Sequence, residues 1–494
     1  MAVEKSVTRR PRPVALARFF WVPLVLLQLL SASLQTAASQ LLPNGPVALV
    51  GAQVIDGYEV APISDGVVVY EDGVITSVGS ASEVQIPANA RVIDVGGHTV
   101  LPGLIDNHVH VDLIGHGSYE RYYEFLGGDE RLDEVMPIAA KQILRAGVTT
   151  ALDLGAPFEI LDVRRKIDAG EIPGPRLLVS GPWITRVQYD TIPDSYEEVI
   201  SSPEEGARKA LELIDRGSDV IKTWEGLTQE DYHAIVAAAH SRGVKVHAHL
   251  YDPEAIKMAI DAGVDVFQHV GSAGNPPYEE ALINTIAHKE IPVVQTISHR
   301  VWVYPSTLAF PSRLKRAEYK TDMPDDIYRE FMDSFQNFHQ LPYFRNAVTE
   351  IRNSKQSASQ FIDAGARIGV GTDAASPLNM HLEGIWREMS ALVDSGMSPV
   401  EVLRAATIDG ARIVGVEQDL GSIEVGKLAD MVVLNSNPLD DIRNTVDIDR
   451  VLINGRLYNG DTMNQEWPDR VPLPDFWWWD QTDHRFVPAE NRDN

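Results

Sequence analysis

From residue 47 to residue 100 apolar and polar positions alternate with a period of two. The runs are Val47-Ala48-Leu49-Val50, Gly66-Val67-Val68-Val69-Tyr70 and Val74-Ile75-Thr76-Ser77-Val78. That period sends successive side chains to opposite faces of a strand, and Asp72-Gly73 between two such runs is a hairpin signal. After His110 the pattern changes to short apolar runs separated by helical stretches. The runs are Val148-Thr149-Thr150-Ala151-Leu152-Asp153, Arg176-Leu177-Leu178-Val179-Ser180, Asp219-Val220-Ile221-Lys222, Val244-Lys245-Val246-His247-Ala248-His249, Val264-Asp265-Val266-Phe267-Gln268-His269, Ile291-Pro292-Val293-Val294-Gln295 and Ala366-Arg367-Ile368-Gly369-Val370-Gly371-Thr372-Asp373. With the run 99–105 ahead of His108 they make eight. Eight strand–helix units over about 300 residues predict a (β/α)8 TIM barrel, here residues 101–412. An open doubly wound sheet is the rival, but no Gly-x-Gly-x-x-Gly turn follows the first strand. Strand-like alternation returns over 413–460, in Met431-Val432-Val433-Leu434 and Arg450-Val451-Leu452-Ile453. These segments are expected to complete, with residues 40–100, a small β-sandwich built from both ends of the chain.

Three stretches depart from this scheme. Residues 1–39 carry Lys5, Arg9, Arg10, Arg12 and Arg18, then an apolar run from Phe19 to Leu30, then Thr36-Ala37-Ala38-Ser39. This order predicts a cleavable export signal and a periplasmic or secreted protein, with an uncleaved membrane anchor as the alternative. Residues 299–356 are rich in aromatics, among them Trp302, Tyr304, Phe310, Tyr319, Tyr328, Phe331, Phe335, Phe338, Tyr343 and Phe344. They predict either a lid over the substrate or an insert packed on its own core. The tail 461–494 holds Phe476-Trp477-Trp478-Trp479, suited to clamping the barrel or to an interface between identical chains.

Composition narrows the chemistry. There is no cysteine, so disulfides, thiolate metal sites and cysteine nucleophiles are excluded. The formal charge of −27 becomes −31 without residues 1–39. Such a charge opposes nucleic acid and anionic membrane surfaces and says nothing about catalysis; the expected partner is a small-molecule substrate.

Chemistry concentrates where a barrel enzyme places it, at the C-terminal ends of the strands. His108 and His110 follow the first strand at alternate positions, so both can face one metal ion. Lys222 ends the fourth strand, His249 the fifth, His269 the sixth and Asp373 the eighth. His, Asp and Lys together make a nitrogen–oxygen site for divalent ions, and zinc is the expected metal among several that such ligands suit.

These residues resemble the amidohydrolase superfamily, in its imidazolonepropionase-like and Xaa-Pro dipeptidase-like branch. The matching stretches are Leu101-Pro-Gly-Leu-Ile-Asp-Asn-His-Val-His110, Ala146-Gly-Val-Thr-Thr150, Asp219-Val-Ile-Lys222, His269, Gly371-Thr-Asp373, Ala406-Thr407, Gly421-Ser-Ile-Glu-Val-Gly-Lys-Leu-Ala-Asp430 and Asn437-Pro438-Leu439. The resemblance implies that Lys222 is carboxylated and bridges two divalent ions. By the family's spacing it favours His249 over His247 as the fifth-strand ligand, leaving His247 as a supporting hydrogen-bond partner or a buried polar residue.

Such a shell permits attack by a metal-bridging hydroxide, with His108 and His110 on one ion and His249 and His269 on the other. Asp373 would carry the proton to the departing nitrogen. The expected reaction is hydrolysis of an amide or peptide-like carbon–nitrogen bond in a dipeptide or N-acyl amino acid. Alternatives are a cyclic amide or lactone hydrolase, a metal-dependent deaminase using a carboxylate among Asp252 and Glu254, or a non-catalytic scaffold. The intact ligand set argues against the last. Substrate contacts are expected from His247, Tyr251, Arg300 and His381, with Arg300 suited to a carboxylate and Glu383 near His381. An assembly of identical chains is also expected.

Overall fold

In the computed structural model, which describes residues 45–58, 61–271, 277–340 and 344–473, the apolar run ahead of His108 is not one strand but two. Thr99–Pro102 pairs with Met431–Leu434 and with Gln53 and Val54 in a mixed sheet. Leu104–Val109 pairs with Val148–Asp153 in a parallel one. Gly103 makes the switch. Its amide donates to Asp430 O at 2.8 Å, and a Cβ there would sit 1.9 Å from Thr149 Oγ1, so no other residue fits so close an approach.

The mixed sheet has nine strands, ordered Gln465–Trp467, Arg456–Asn459, Ile448–Ile453, Met431–Leu434, Thr99–Pro102, Val47–Val54, Ile63–Glu71 and Val74–Ser80, with Arg91–Asp94 also on Val47–Val54. Both chain segments therefore share one hydrogen-bonded sheet. Its apolar positions, such as Leu49, Val68, Val100, Met431 and Leu452, form a single cluster drawn from both. The hairpin joining Ile63–Glu71 to Val74–Ser80 turns at Asp72 and Gly73, both at positive φ, which matches the right-handed twist of the strands it connects.

The remaining strands are all parallel. Leu104–Val109, Val148–Asp153 and Arg176–Val179 form one sheet. Seven more follow in the order Glu197–Val199, Trp183–Thr185, Val220–Thr223, Lys245–His249, Val266–Gln268, Val293–Val294 and Ile368–Gly369. Hydrogen bonds cross both gaps between the two sheets, from Asp219 N to Val179 O at 2.8 Å and from Asn107 N to Val370 O at 3.0 Å. This is a mixed α/β protein whose parallel strands, buried on both faces between helices, are consistent with a TIM barrel. The excursion 183–199, with its two short strands, was not legible as strands in the sequence.

Helices close each unit with local signals. Thr228 and Asp231 make a capping box for Gln229–His240, and Asp252 caps Pro253–Ala262 by accepting from Glu254 N and Ala255 N. The insert consists of Tyr304–Ala309, Ala317–Asp322, Asp325–Ser334 and Ala347–Asp363 with short turns between them. Tyr319, Phe331, Phe335 and Phe344 are buried in the large core. The insert is pinned to residues 116–145 by Lys141–Asp322 at 2.6 Å, Arg131–Asp326 at 3.0 Å and His116–Glu330 at 3.3 Å.

Segment 1–39, Tyr343 and the Phe476-Trp477-Trp478-Trp479 cluster lie outside the described residues. Among the described residues no helix is long and apolar enough to cross a membrane.

Candidate active site

The strand ends converge. His108, at the end of Leu104–Val109, has its Nε2 3.7 Å from Asp373 Oδ1, and His110 Nε2 lies 3.2 Å from the same oxygen. Ligand atoms of these three residues all fall within 4.8 Å of one another. His269 joins them, its ring centroid 4.4 Å from that of His108 and 4.6 Å from that of His249. Both His269 and Asp373 stand just past their strands at positive φ, 65° and 55°, a conformation that costs energy for such residues and concentrates at functional sites. Gly371 lets this loop close in, because a Cβ there would meet His108 Cβ at 3.0 Å and Val294 at 2.3 Å. Asp106 ties the same two loops together by accepting from His108 N at 3.1 Å, Thr372 N at 3.0 Å and Thr372 Oγ1 at 2.7 Å.

Supporting bonds orient the imidazoles. His108 Nδ1 pairs with Gln268 Oε1 at 2.8 Å, and Gln268 Nε2 donates to His247 Nδ1 at 3.1 Å. His247 thus stands one residue behind the ring, linked to it through Gln268. His269 Nδ1 pairs with Thr296 Oγ1 at 2.9 Å. The second oxygen of Asp373 meets His299 Nδ1 at 3.0 Å.

Several buried polar atoms have no hydrogen-bond partner: His108 Nε2, Lys222 Nζ and His249 Nδ1. Burial, opposed by the carboxylates of Asp373 and Asp153, takes the Lys222 ammonium down to about 7. It takes His108, His249 and His269 well below the usual histidine range, and His299 down to about 4. Burial would lower His110 as well, but the Asp373 carboxylate more than offsets it. Asp373 is held well below its ordinary value, since His110 and His299 outweigh the opposite effect of burial. Neutral imidazoles at His108, His249 and His269, an ionised carboxylate and a lysine stripped of much of its charge are the protonation states that divalent-ion ligands need. Orphaned buried donors and acceptors are otherwise rare, so this donor set fits a metal centre.

A cavity of about 170 Å³ opens beside the ring. His110, His249, His269 and Asp373 form its polar floor, and Tyr119, Tyr123, Trp183, Tyr196, Trp224 and Tyr251 form its walls. Trp224 stacks on His249 with centroids 3.8 Å apart and on Trp183 at 4.8 Å. Of the expected substrate residues, Tyr251 and Arg300 line the cavity; His247 and His381 do not. His381 opens the helix His381–Asp394 and its Nε2 bonds Leu113 O at 3.0 Å, steadying the loop after His110. Glu383 is buried against Arg313 and Arg387. Glu254 is exposed on Lys257, and Asp252 is spent as a helix cap, so neither carboxylate stands at the site as a deaminase would require. None of the insert's described aromatics lines the cavity. Its aromatic wall comes from elsewhere, chiefly 119–123 and 183–196. Trp224, two residues past Lys222, and Asp112, two past His110, carried a signal in the strand alternation; Gln268 and Trp183 carried none.

A family model described as the amidohydrolase family matches residues 99–458. The chain belongs to the amidohydrolase family. It is an enzyme, a hydrolase of carbon–nitrogen bonds, and members of this family are metal-dependent. Imidazolonepropionase from Deinococcus deserti is 24% identical over 447 residues, covering 84% of this chain and 96% of its own. A solved protein from Bifidobacterium longum, proposed to be a prolidase, is 29% identical with a TM-score of 0.65, covering 87% of this chain and 96% of its own. The structure of a Xaa-Pro dipeptidase with methionine in its active site is 24% identical with a TM-score of 0.67, covering 84% and 100%, and shares the fold.

Proposed function

We propose that this protein hydrolyses the amide bond of a dipeptide or N-acyl amino acid at a centre of two divalent ions, most simply zinc. The observation that carries this reading is the convergence of buried, unpartnered donors at His108, Lys222 and His249 beside Asp373 and an aromatic cavity. His108 and His110 would hold one ion, His249 and His269 the other, and Lys222, as its carbamate, would bridge them. Burial supports this assignment, because a lysine amine near neutrality can add carbon dioxide and lose a proton, becoming an anion where a cation would be repelled. When bound, such ions acidify a water and polarise a carbonyl.

The chain's own groups do the rest. Asp373, fixed between His110 and His299, takes the proton from the attacking water and delivers it to the departing nitrogen. The neutral His299 holds that carboxylate in place through its second oxygen. Gln268 fixes the ring of His108. Tyr251 and Arg300 line the cavity, and Arg300 suits a substrate carboxylate. The aromatic walls keep the reacting bond away from bulk water. The same reading takes the parallel strands as a closed (β/α)8 barrel, the nine-stranded sheet as a satellite β-sandwich, and residues 1–39 as an export signal on a chain that assembles with its own kind.

The test is a screen of dipeptides, N-acyl amino acids, cyclic amides and lactones against zinc-loaded protein, with metal analysis. About two ions per chain and turnover of the first two classes are expected. A folded, metal-replete sample that cleaves no carbon–nitrogen bond sinks the reading.

A further inference from the structure

The cavity also holds a carboxyl group that the hydrolase reading does not use. Asp112 lines the cavity, is 2% exposed, and its Oδ1 has no hydrogen-bond partner. Its neighbour Asp153 differs. That carboxylate is saturated by backbone donors, Val111 N at 2.7 Å, Ala156 N at 2.8 Å and Gly155 N at 3.1 Å, and its work is to shape the loops. Asp112 has no such employment. A buried carboxyl oxygen left without a donor is costly.

The walls around Asp112 favour one kind of partner. Tyr123, Trp183 and Tyr196 form a connected aromatic group, with Tyr123–Tyr196 centroids 5.1 Å apart and Trp183–Tyr196 6.3 Å apart. The Tyr196 hydroxyl is buried within reach of the Asp112 carboxyl. Aromatic faces around a carboxylate attract a cation by their quadrupoles as well as by its charge. A protonated amine supplies both the charge and the donors these acceptors lack. An acylated nitrogen does not: it carries no charge, and its carbonyl would set acceptor against acceptor.

We propose that Asp112, with Tyr123, Trp183 and Tyr196, is the subsite for the protonated amine of the substrate. Resting on the hydrolase reading, this makes free-amine dipeptides the preferred class over N-acyl amino acids.

The test uses the metal-loaded protein and two small probes, with the amide probe checked to remain uncleaved through the measurement. Isoamylamine is protonated at pH 7, so its nitrogen has no lone pair for a metal ion; N-isoamylacetamide is its neutral counterpart. Calorimetry is expected to show the amine bound at least about tenfold tighter, and Asp112→Asn to bring that preference within about threefold of unity at unchanged metal content. Equal or tighter binding of the acetamide to the unaltered protein overturns the proposal, whatever the variant does. So does a preference that survives in Asp112→Asn. The paired kinetic measurement compares a dipeptide with its N-acetyl derivative, and the ratio of their kcat/KM values should collapse in the same variant. A loss shared equally by both substrates would mean that Asp112 only supports the fold. Absence of all hydrolysis with the amine preference intact rejects the hydrolase reading and leaves the subsite; hydrolysis without the preference rejects the subsite alone.

Discussion

Two regions of this protein bury charged and polar groups, and they treat them in opposite ways. Where the 299–356 insert meets residues 116–145, buried charges are matched: Lys141 with Asp322, Arg131 with Asp326, and Arg313 with Glu383 and Leu378 O. At the strand ends, Lys222, His108 and His249 are as deeply buried, yet each presents an atom with no hydrogen-bond partner. Burial of a charge is tolerated when its partner is built in, as in the insert. An unpartnered set in one place indicates a partner that arrives from outside the chain. The same residue type, lysine, is therefore a structural fastening at position 141 and an unpaired candidate ligand at position 222.

The largest effect that can break this contrast is on activity. Lys222→Ala should lose at least one of two bound ions and reduce kcat/KM by more than the roughly 10–100-fold that loss of a supporting partner costs, measured by metal analysis and steady-state kinetics. Retention of both ions would reject the bridging role. Next in size is Lys141→Met, which leaves the buried Asp322 carboxylate without its cation and with only Gln142 Nε2 as a donor, and should destabilise the protein by about 3 kcal/mol in denaturant unfolding, with the metal content unchanged.

His116 tests the same interface by pH. Burial takes its folded value down to about 4 from 6.5 despite Glu330, while Arg121 also disfavours its charge. The unfolded chain binds the proton first, so this stability is present above pH 6.5 and is lost as pH falls toward 4. Roughly 3 kcal/mol is at stake at about 1.4 kcal/mol per unit. His116→Gln should flatten that part of the stability–pH curve; an unchanged slope assigns it elsewhere. The smallest effect sharpens the contrast most. Lys222→Met in metal-free protein should stabilise by about 1–3 kcal/mol, because it removes an unpaired buried amine. Two Lys→Met changes of opposite sign would separate the regions; the same sign in both would erase the distinction.

The strand ends were legible because period-two apolar runs locate strands, and chemistry-bearing residues follow them: His108, His110, Lys222, His249, His269 and Asp373 all occupy the expected ends. The short strands Val293–Val294 and Ile368–Gly369 were read longer than they are, since an apolar run continues past the last ladder bond into the loop. That is why His269 and Asp373 reach the ring from left-handed turns and not from the strands themselves. The cavity wall was less legible. The insert's aromatics were the obvious candidates for it, yet Tyr319, Phe331, Phe335 and Phe344 pack into the large core, and an aromatic stripe looks alike whether it faces substrate or a neighbouring helix. Whether a side chain faces one or the other depends on packing between distant segments.

The sequence by itself determined the strand–helix alternation, the exclusion of thiolate chemistry and the strand ends at which the candidate ligands stand, because periodicity and residue type are local properties. Only the tertiary structure decided that His108 leans on Gln268 and Gln268 on His247, that Asp373 is clamped between His110 and His299, and that Trp183 and Tyr196 wall the cavity beside Asp112. Those facts join residues up to 263 positions apart, as in Asp373 and His110. A contact of that kind is fixed by how whole elements pack, which no local pattern records.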